Sequence, residues 1–241
     1  MKALVLTIVQ SCNRSCYYCT MKDYIYPLDH EFPFRRNGEL TNVNCITNDA
    51  LLKWLDAYID PKEWVIKITG GEPGLYKEID TLIPELNNRG YYGIIETNGS
   101  LPIPKSANFT IATAWHEGVQ DCPKYYDIIL IIKNPRDDWR RKVDYCKAHN
   151  IPYKTVPFNR EFEGVKKSLD SAPGKPKLPI TDMLCMYSMG QFHPCPTYKV
   201  TFQYDIFNMT EPYITPCCPS CPTTAGLELF LPDDVRAKFL V

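Results

Sequence analysis

The stretch Lys2 to Val9 reads as a buried, β-branched strand, and it runs straight into Cys12-Asn-Arg-Ser-Cys16-Tyr-Tyr-Cys19. Any fold for this chain must therefore bring three thiols, spaced x3 and x2, to the end of one strand. Three thiolates on so short a loop can hold an iron-sulfur cluster and leave one iron without a protein ligand. A fully Cys-ligated cluster mainly passes electrons, whereas an open position on a metal binds and activates a substrate. A zinc knuckle or a disulfide cluster is the plainer use of the same cysteines.

A second strand, Glu63 to Thr69, leads into Gly70-Gly71-Glu72-Pro73 ahead of a helical stretch from about Tyr76 to Arg89. Two glycines let backbone approach a ligand closely, and the Glu72 carboxylate with nearby backbone groups can hold an ammonium and a carboxylate. An ordinary strand-to-helix turn also uses Gly-Gly and Pro. After a loop-rich stretch from Thr20 to Ile46, a helix is expected from about Asp49 to Ile59, capped by Thr47 or Asn48. Further strands are expected at Tyr92 to Thr97, Phe109 to Ala114, Tyr126 to Lys133 and Pro152 to Pro157, with a helix from about Asp137 to Ala148. Such alternation predicts an α/β fold with parallel strands, whose ligands sit at the carboxyl ends. Those ends carry the Cys loop, Gly70-Gly71-Glu72, Glu96-Thr97-Asn98-Gly99 and Ala114-Trp115-His116-Glu117. Lys133-Asn134 and Asn159-Arg160-Glu161 follow as candidates for substrate contact.

A chain of 241 residues can bury a good core, and its net charge of −1 leaves no general electrostatic footprint for nucleic acid or an anionic membrane. No run is long enough to span a bilayer. The start, through Val9-Gln-Ser-Cys12, superficially resembles a lipoprotein signal, but cleavage before Cys12 would destroy a strand the fold needs. Eleven cysteines in a chain of this size point to a reducing, cytoplasmic setting rather than a disulfide scaffold. Cys45, Cys122 and Cys146 stand alone and read as small buried hydrophobes. Cys185, Cys195, Cys217, Cys218 and Cys221 crowd into the last quarter. The expected division is 1–170, a Pro-rich linker at 171–180, and a Cys-rich extension at 181–241. Cys185, Cys195, Cys218 and Cys221 can enclose a metal fully, as zinc or as an Fe-S cluster, with Cys217 competing with Cys218.

Cys-x3-Cys-x2-Cys with Tyr18 before the last cysteine resembles the signature of the radical S-adenosylmethionine (SAM) enzymes, and Gly70-Gly71-Glu72-Pro73 resembles their second motif. The resemblance implies a partial (β/α)6 barrel and a 4Fe-4S cluster on Cys12, Cys16 and Cys19. It implies SAM chelated to the open iron by the amino and carboxyl groups of its methionine part, the amino group also being held at Gly70 to Pro73. Glu96-Thr97-Asn98-Gly99 is similar to a segment of several branches, including 7-carboxy-7-deazaguanine synthases and glycyl-radical activases, which makes Glu96 and Asn98 candidate SAM contacts. His116 is a candidate contact to SAM or substrate. At the ribose-binding position of relatives this chain has Ala114, leaving Thr113 or His116 as substitutes. The tail resembles the opening Cys-x9-Cys of SPASM and twitch extensions, which carry auxiliary 4Fe-4S clusters, although it holds fewer cysteines than the full pattern.

What the resemblance implies for activity is reductive cleavage of SAM to a 5′-deoxyadenosyl radical, which abstracts hydrogen from a peptide or small-molecule substrate. An external one-electron reductant of flavodoxin or ferredoxin type is the implied partner. A glycyl-radical-enzyme activase is the nearest alternative, and a non-catalytic zinc-binding module is the alternative of another class.

Overall fold

The computed structural model describes residues 1–16, 19, 26–27, 32–36, 39–43, 45–157, 182–186, 192–193 and 215–216. Its core is one open sheet. β1 (Lys2–Val9), β4 (Trp64–Gly70), β5 (Tyr92–Thr97), β6 (Phe109–Ala114), β7 (Ile128–Lys133) and β8 (Tyr153–Pro157) lie side by side in that order, every pair parallel. β1 is apolar along its length because it is buried on both faces: Ala3, Leu4, Leu6 and Ile8 have no exposure. The predicted α/β class with parallel strands holds, and the sheet stays open as in a partial barrel.

Helices cover part of this sheet. α1 (Asn48–Tyr58) is capped by Thr47, whose hydroxyl accepts the Ala50 N–H at 3.3 Å. It buries Leu51, Leu52, Trp54 and Leu55 in a cluster with Leu82, Ile83 and Leu86 of α2 (Ile79–Asn88) and the strands beneath. α2 starts at Ile79 rather than near Tyr76 because the residues before it serve α1. Tyr76 donates its hydroxyl to Ile46 O at 3.0 Å and Asn48 Oδ1 at 2.8 Å, and the Glu78 carboxylate accepts the Asn48 N–H at 2.7 Å. Pro73–Leu75 form a separate 3-10 turn.

α3 (Trp139–Ala148) is capped by Asp138 and links β7 to β8. β7 begins two residues later than expected, at Ile128, since Asp127 turns its carboxylate to the Ile111 N–H at 2.8 Å and to Lys105 Nζ at 2.6 Å. The links from β5 to β6 and from β6 to β7 contain no helix, so the strand–helix alternation is incomplete.

Two other elements depart from expectation. The loop-rich region after the cysteines contains an antiparallel hairpin, β2 (Phe32–Arg36) with β3 (Glu39–Val43), Arg36 facing Glu39. The signal was Asn37-Gly38, the dipeptide favoured in two-residue hairpin turns. On the far side of β1, β9 (Asp182–Met186) adds a further parallel strand, pairing Lys2 with Asp182 through Leu6 with Met186. β10 (Phe192–His193) and β11 (Thr215–Pro216) lie antiparallel to β9. The first strand of the expected extension is thus part of the main sheet, with Cys185 opposite Val5. Among the described residues no helix is long and apolar enough to cross a membrane.

Candidate functional site

The carboxyl ends of β1 and β4 are joined beyond the last ladder pair. Pairing runs regularly from Lys2 with Trp64 to Thr7 with Thr69, then shifts so that Val9 meets Gly70, leaving Ile8 as a bulge. Bulges of this kind re-aim the chain at a strand end. Past it, Gly71 N–H donates to Val9 O at 2.8 Å and Glu72 N–H donates to Ser11 O at 2.8 Å. A Cβ on Gly70 would lie 2.2 Å from Val9 O, and one on Gly71 would lie 1.9 Å from Ser11 O. The close approach that these glycines permit is therefore to the backbone leading into the cysteines. Ser11 adds a brace by donating its hydroxyl to Tyr26 O at 2.7 Å.

Glu72 is wholly buried. One carboxylate oxygen accepts the Thr97 hydroxyl at 2.6 Å and the Gly74 N–H at 3.0 Å, and the other accepts the Asn98 N–H at 2.7 Å. The side chain is a strut between the ends of β4 and β5. Glu72→Gln is expected to test this strut. With its amide oxygen between Thr97 and Gly74, its NH2 group faces the Asn98 N–H, donor against donor. Leaving a buried donor unsatisfied costs about 1–3 kcal/mol, and a chain of this size loses about 2–4 °C in Tm per kcal/mol. Thermal unfolding of the variant at or above the wild-type Tm would remove the strut from the account.

Cys12, Cys16 and Cys19 are half-buried, and none is in a disulfide. Cys19 N–H donates to Cys16 O at 3.0 Å, closing a turn. Two nitrogens from the rim reach the sulfurs: Asn98 Nδ2 lies 3.8 Å from Cys12 Sγ and His116 Nδ1 lies 3.3 Å from Cys16 Sγ. Asn98 Nδ2 also donates to Asn13 Oδ1 at 2.9 Å, and Asn13 Nδ2 donates to Ser100 Oγ at 2.8 Å. Among the described residues no three ligating side chains converge on a single ion. A donor set of three unbridged thiols, partly open and flanked by N–H groups, suits a polynuclear iron-sulfur cluster with one iron left open.

His116 sits at the end of β6. Burial first, then the positive charges of Arg14 and Lys142, lower its imidazole from the usual 6.5 to about 4, so the ring is neutral at neutral pH. Its backbone is held by Lys142, a lysine of α3 buried to 1 % exposure. Lys142 Nζ donates to His116 O at 2.8 Å and Trp115 O at 3.3 Å, and pairs with Asp137. The Trp115 indole N–H donates to Val119 O at 2.9 Å.

The other candidates divide by surroundings. Glu96 pairs with Lys67 at 2.8 Å on the sheet. Pro73 opens the 3-10 turn and is buried. Thr113 is closed to solvent and donates its hydroxyl to Tyr125 O, while Ala114 stays partly open. Asn134 donates to Glu117 at 2.8 Å, joining two rim segments, and Lys133 is exposed. Of the isolated cysteines, Cys146 is fully buried, and burial pushes its thiol up to about 11. Tyr18, Asn159, Arg160, Glu161, Cys195, Cys217, Cys218, Cys221, the β-like stretch 198–204 and the 171–180 linker lie outside the described residues, as does the Cys185 side chain. Three further residues support the site: Asn13, next to Cys12, Thr97, between Glu96 and Asn98, and Lys142, which nothing in its local sequence marks.

Residues 6–161 match the family model described as the Radical SAM superfamily. The chain is 35% identical over 98 residues to the 7-carboxy-7-deazaguanine synthase of Bacteroides thetaiotaomicron, spanning 41% of this chain and 42% of that protein. It is 34% identical over 100 residues to the GTP 3′,8-cyclase of Staphylococcus saprophyticus, 41% of this chain and 27% of that protein. The matches thus span less than half of these curated relatives. Among solved structures, Streptococcus suis SuiB bound to S-adenosylmethionine aligns with a TM-score of 0.57 at 14% identity, over 98% of this chain and 66% of that one. The anSMEcpe structure with bound AdoMet aligns at 0.52 and 13% identity, over 86% of this chain and 75% of that one. At such identities the likeness carries the fold.

Proposed function

This chain belongs to the radical SAM superfamily, and on that premise we propose that Cys12, Cys16 and Cys19 hold a 4Fe-4S cluster whose open iron takes SAM, for hydrogen abstraction from a peptide or small molecule. The observation that carries this reading is the seam at the rim, where the backbone leading to the cysteines is bonded to Gly71 and Glu72 at 2.8 Å. The seam fixes thiols and SAM-binding backbone in one frame, the pre-organisation a reactive site requires. Cluster and SAM together supply, when bound, the one-electron cleavage that releases a 5′-deoxyadenosyl radical.

The remaining roles belong to the chain. Gly70, Gly71 and Pro73 shape the edge that receives the SAM amino group, with Glu72 bracing it from beneath. Tyr18 flanks the last cysteine, and Glu96 and its partner Lys67 line the next strand. A peptide substrate draws support from the Streptococcus suis SuiB structure bound to precursor peptide SuiA, which aligns over 98% of this chain at a TM-score of 0.53. Cys185, Cys195 and Cys218 or Cys217 with Cys221 are proposed to hold an auxiliary Fe-S cluster within the 181–241 extension. An external one-electron donor of flavodoxin or ferredoxin type supplies the electron.

Anaerobic reconstitution with iron and sulfide, followed by dithionite and SAM, is the test. Formation of 5′-deoxyadenosine is expected. Protein that holds zinc at the loop and yields none would replace this reading with the structural zinc module.

A further inference from the structure

We propose that His116 and Asn98 are hydrogen-bond donors to the sulfurs of Cys16 and Cys12, positioning residues that set the reduction potential of the loop's cluster rather than contacts to SAM. The inference rests on the reading that the loop holds a cluster. A cysteine that ligates iron is deprotonated, so its sulfur only accepts hydrogen bonds. The nitrogen facing it must then carry the hydrogen, which makes the 3.3 Å contact an Nδ1–H donation from His116 to Cys16. For Asn98 the amide orientation follows from its partners. Its Oδ1 accepts the Ser100 N–H at 2.9 Å, which turns Nδ2 towards Asn13 Oδ1 at 2.9 Å and Cys12 Sγ at 3.8 Å.

Both donors are anchored at a second point that has nothing to do with sulfur. The Asn98 backbone N–H donates to buried Glu72 at 2.7 Å. The His116 carbonyl is gripped by buried Lys142 at 2.8 Å, and Lys142 is pinned in turn by Asp137. Both anchors hold the main chain, so each side chain starts from a fixed backbone position whatever the redox state. Each added electron raises the negative charge on the sulfurs, so N–H donors favour the reduced form and raise the potential.

The test compares midpoint potentials, by EPR-monitored titration without SAM, of wild type, His116→Leu, His116→Asn and Asn98→Ala, with the Cys12/Cys16/Cys19→Ala protein as baseline for any other cluster. His116→Leu and Asn98→Ala are each expected to disfavour reduction by about tenfold, a fall of about 59 mV for one electron. His116→Asn puts an amide nitrogen near the Nδ1 position and is expected to return most of the shift. Unchanged potentials in both donor-deleted variants, with the cluster retained, overturn the inference. If a variant fails to hold iron, wild type carrying 15N-histidine decides. A 15N coupling to the reduced cluster that His116→Asn lacks is expected, and its absence from wild type overturns the inference as well. Wild type with no iron beyond the triple-alanine baseline would instead overturn the cluster reading.

Discussion

Alanine at Cys12, Cys16 and Cys19 together is expected to abolish 5′-deoxyadenosine formation and to remove one cluster's worth of iron while leaving about one more, held by the tail cysteines. The loss should be complete because four tail cysteines enclose their metal fully and leave no open iron for SAM. The fold should survive. The seam below the loop is made by main-chain groups, Gly71 to Val9 and Glu72 to Ser11, and needs no thiol. Iron and sulfide counts on anaerobically reconstituted protein, beside thermal unfolding, check each part. A variant with no iron at all would remove the auxiliary cluster, and one that still cleaves SAM would remove the loop from the chemistry.

The strands are legible because short stretches with buried apolar centres, such as Ile94 and Ile95 or Ile111 and Ala112, are bounded by turn residues. Lys2 to Val9, Tyr92 to Thr97 and Phe109 to Ala114 are found with the bounds the sequence suggests. Where a polar side chain reaches across the fold, the local pattern misleads. Tyr76 and Glu78 look like the start of a helix, yet they close the start of α1, and Asp127 ends the approach to β7. The hairpin at Phe32 to Val43 was marked only by Asn37-Gly38.

The site was legible as a set of motifs and not as a mechanism of support. The glycines are expected to let backbone approach a ligand, and the structure adds that they also let the ends of β1 and β4 meet. Lys142 shows why the rest stayed hidden. A lysine among Trp139-Arg140-Arg141 reads as one more solvated charge, and only the placement of α3 against the end of β6 makes it a buried clamp on Trp115 and His116. Long-range contacts of this kind leave no spacing in the sequence.

Gly71→Ala puts the seam itself to the test. The new methyl would lie 1.9 Å from Ser11 O and 2.4 Å from Ser11 C, backbone atoms that cannot rotate away. The two strand ends must part, weakening two backbone hydrogen bonds at about 0.5–1.5 kcal/mol each, with about 1–3 kcal/mol more for the overpacking. A separate effect on function is expected on top of the effect on stability, since a displacement of about 1 Å at a reacting centre can cost about 100-fold in rate. Gly90→Ala separates the two. Gly90 has a positive φ, 79°, which Gly71 lacks, and a Cβ there meets nothing within 4 Å, so strain of about 1–2 kcal/mol is its only penalty. Gly90→Ala should lower Tm modestly yet retain wild-type iron content and SAM cleavage, while Gly71→Ala should lower Tm further and lose most of both at temperatures where it is still folded. Equal iron content and equal cleavage in the two variants would mean that the Cys loop keeps its place without β4, and the seam would then be only a fold contact.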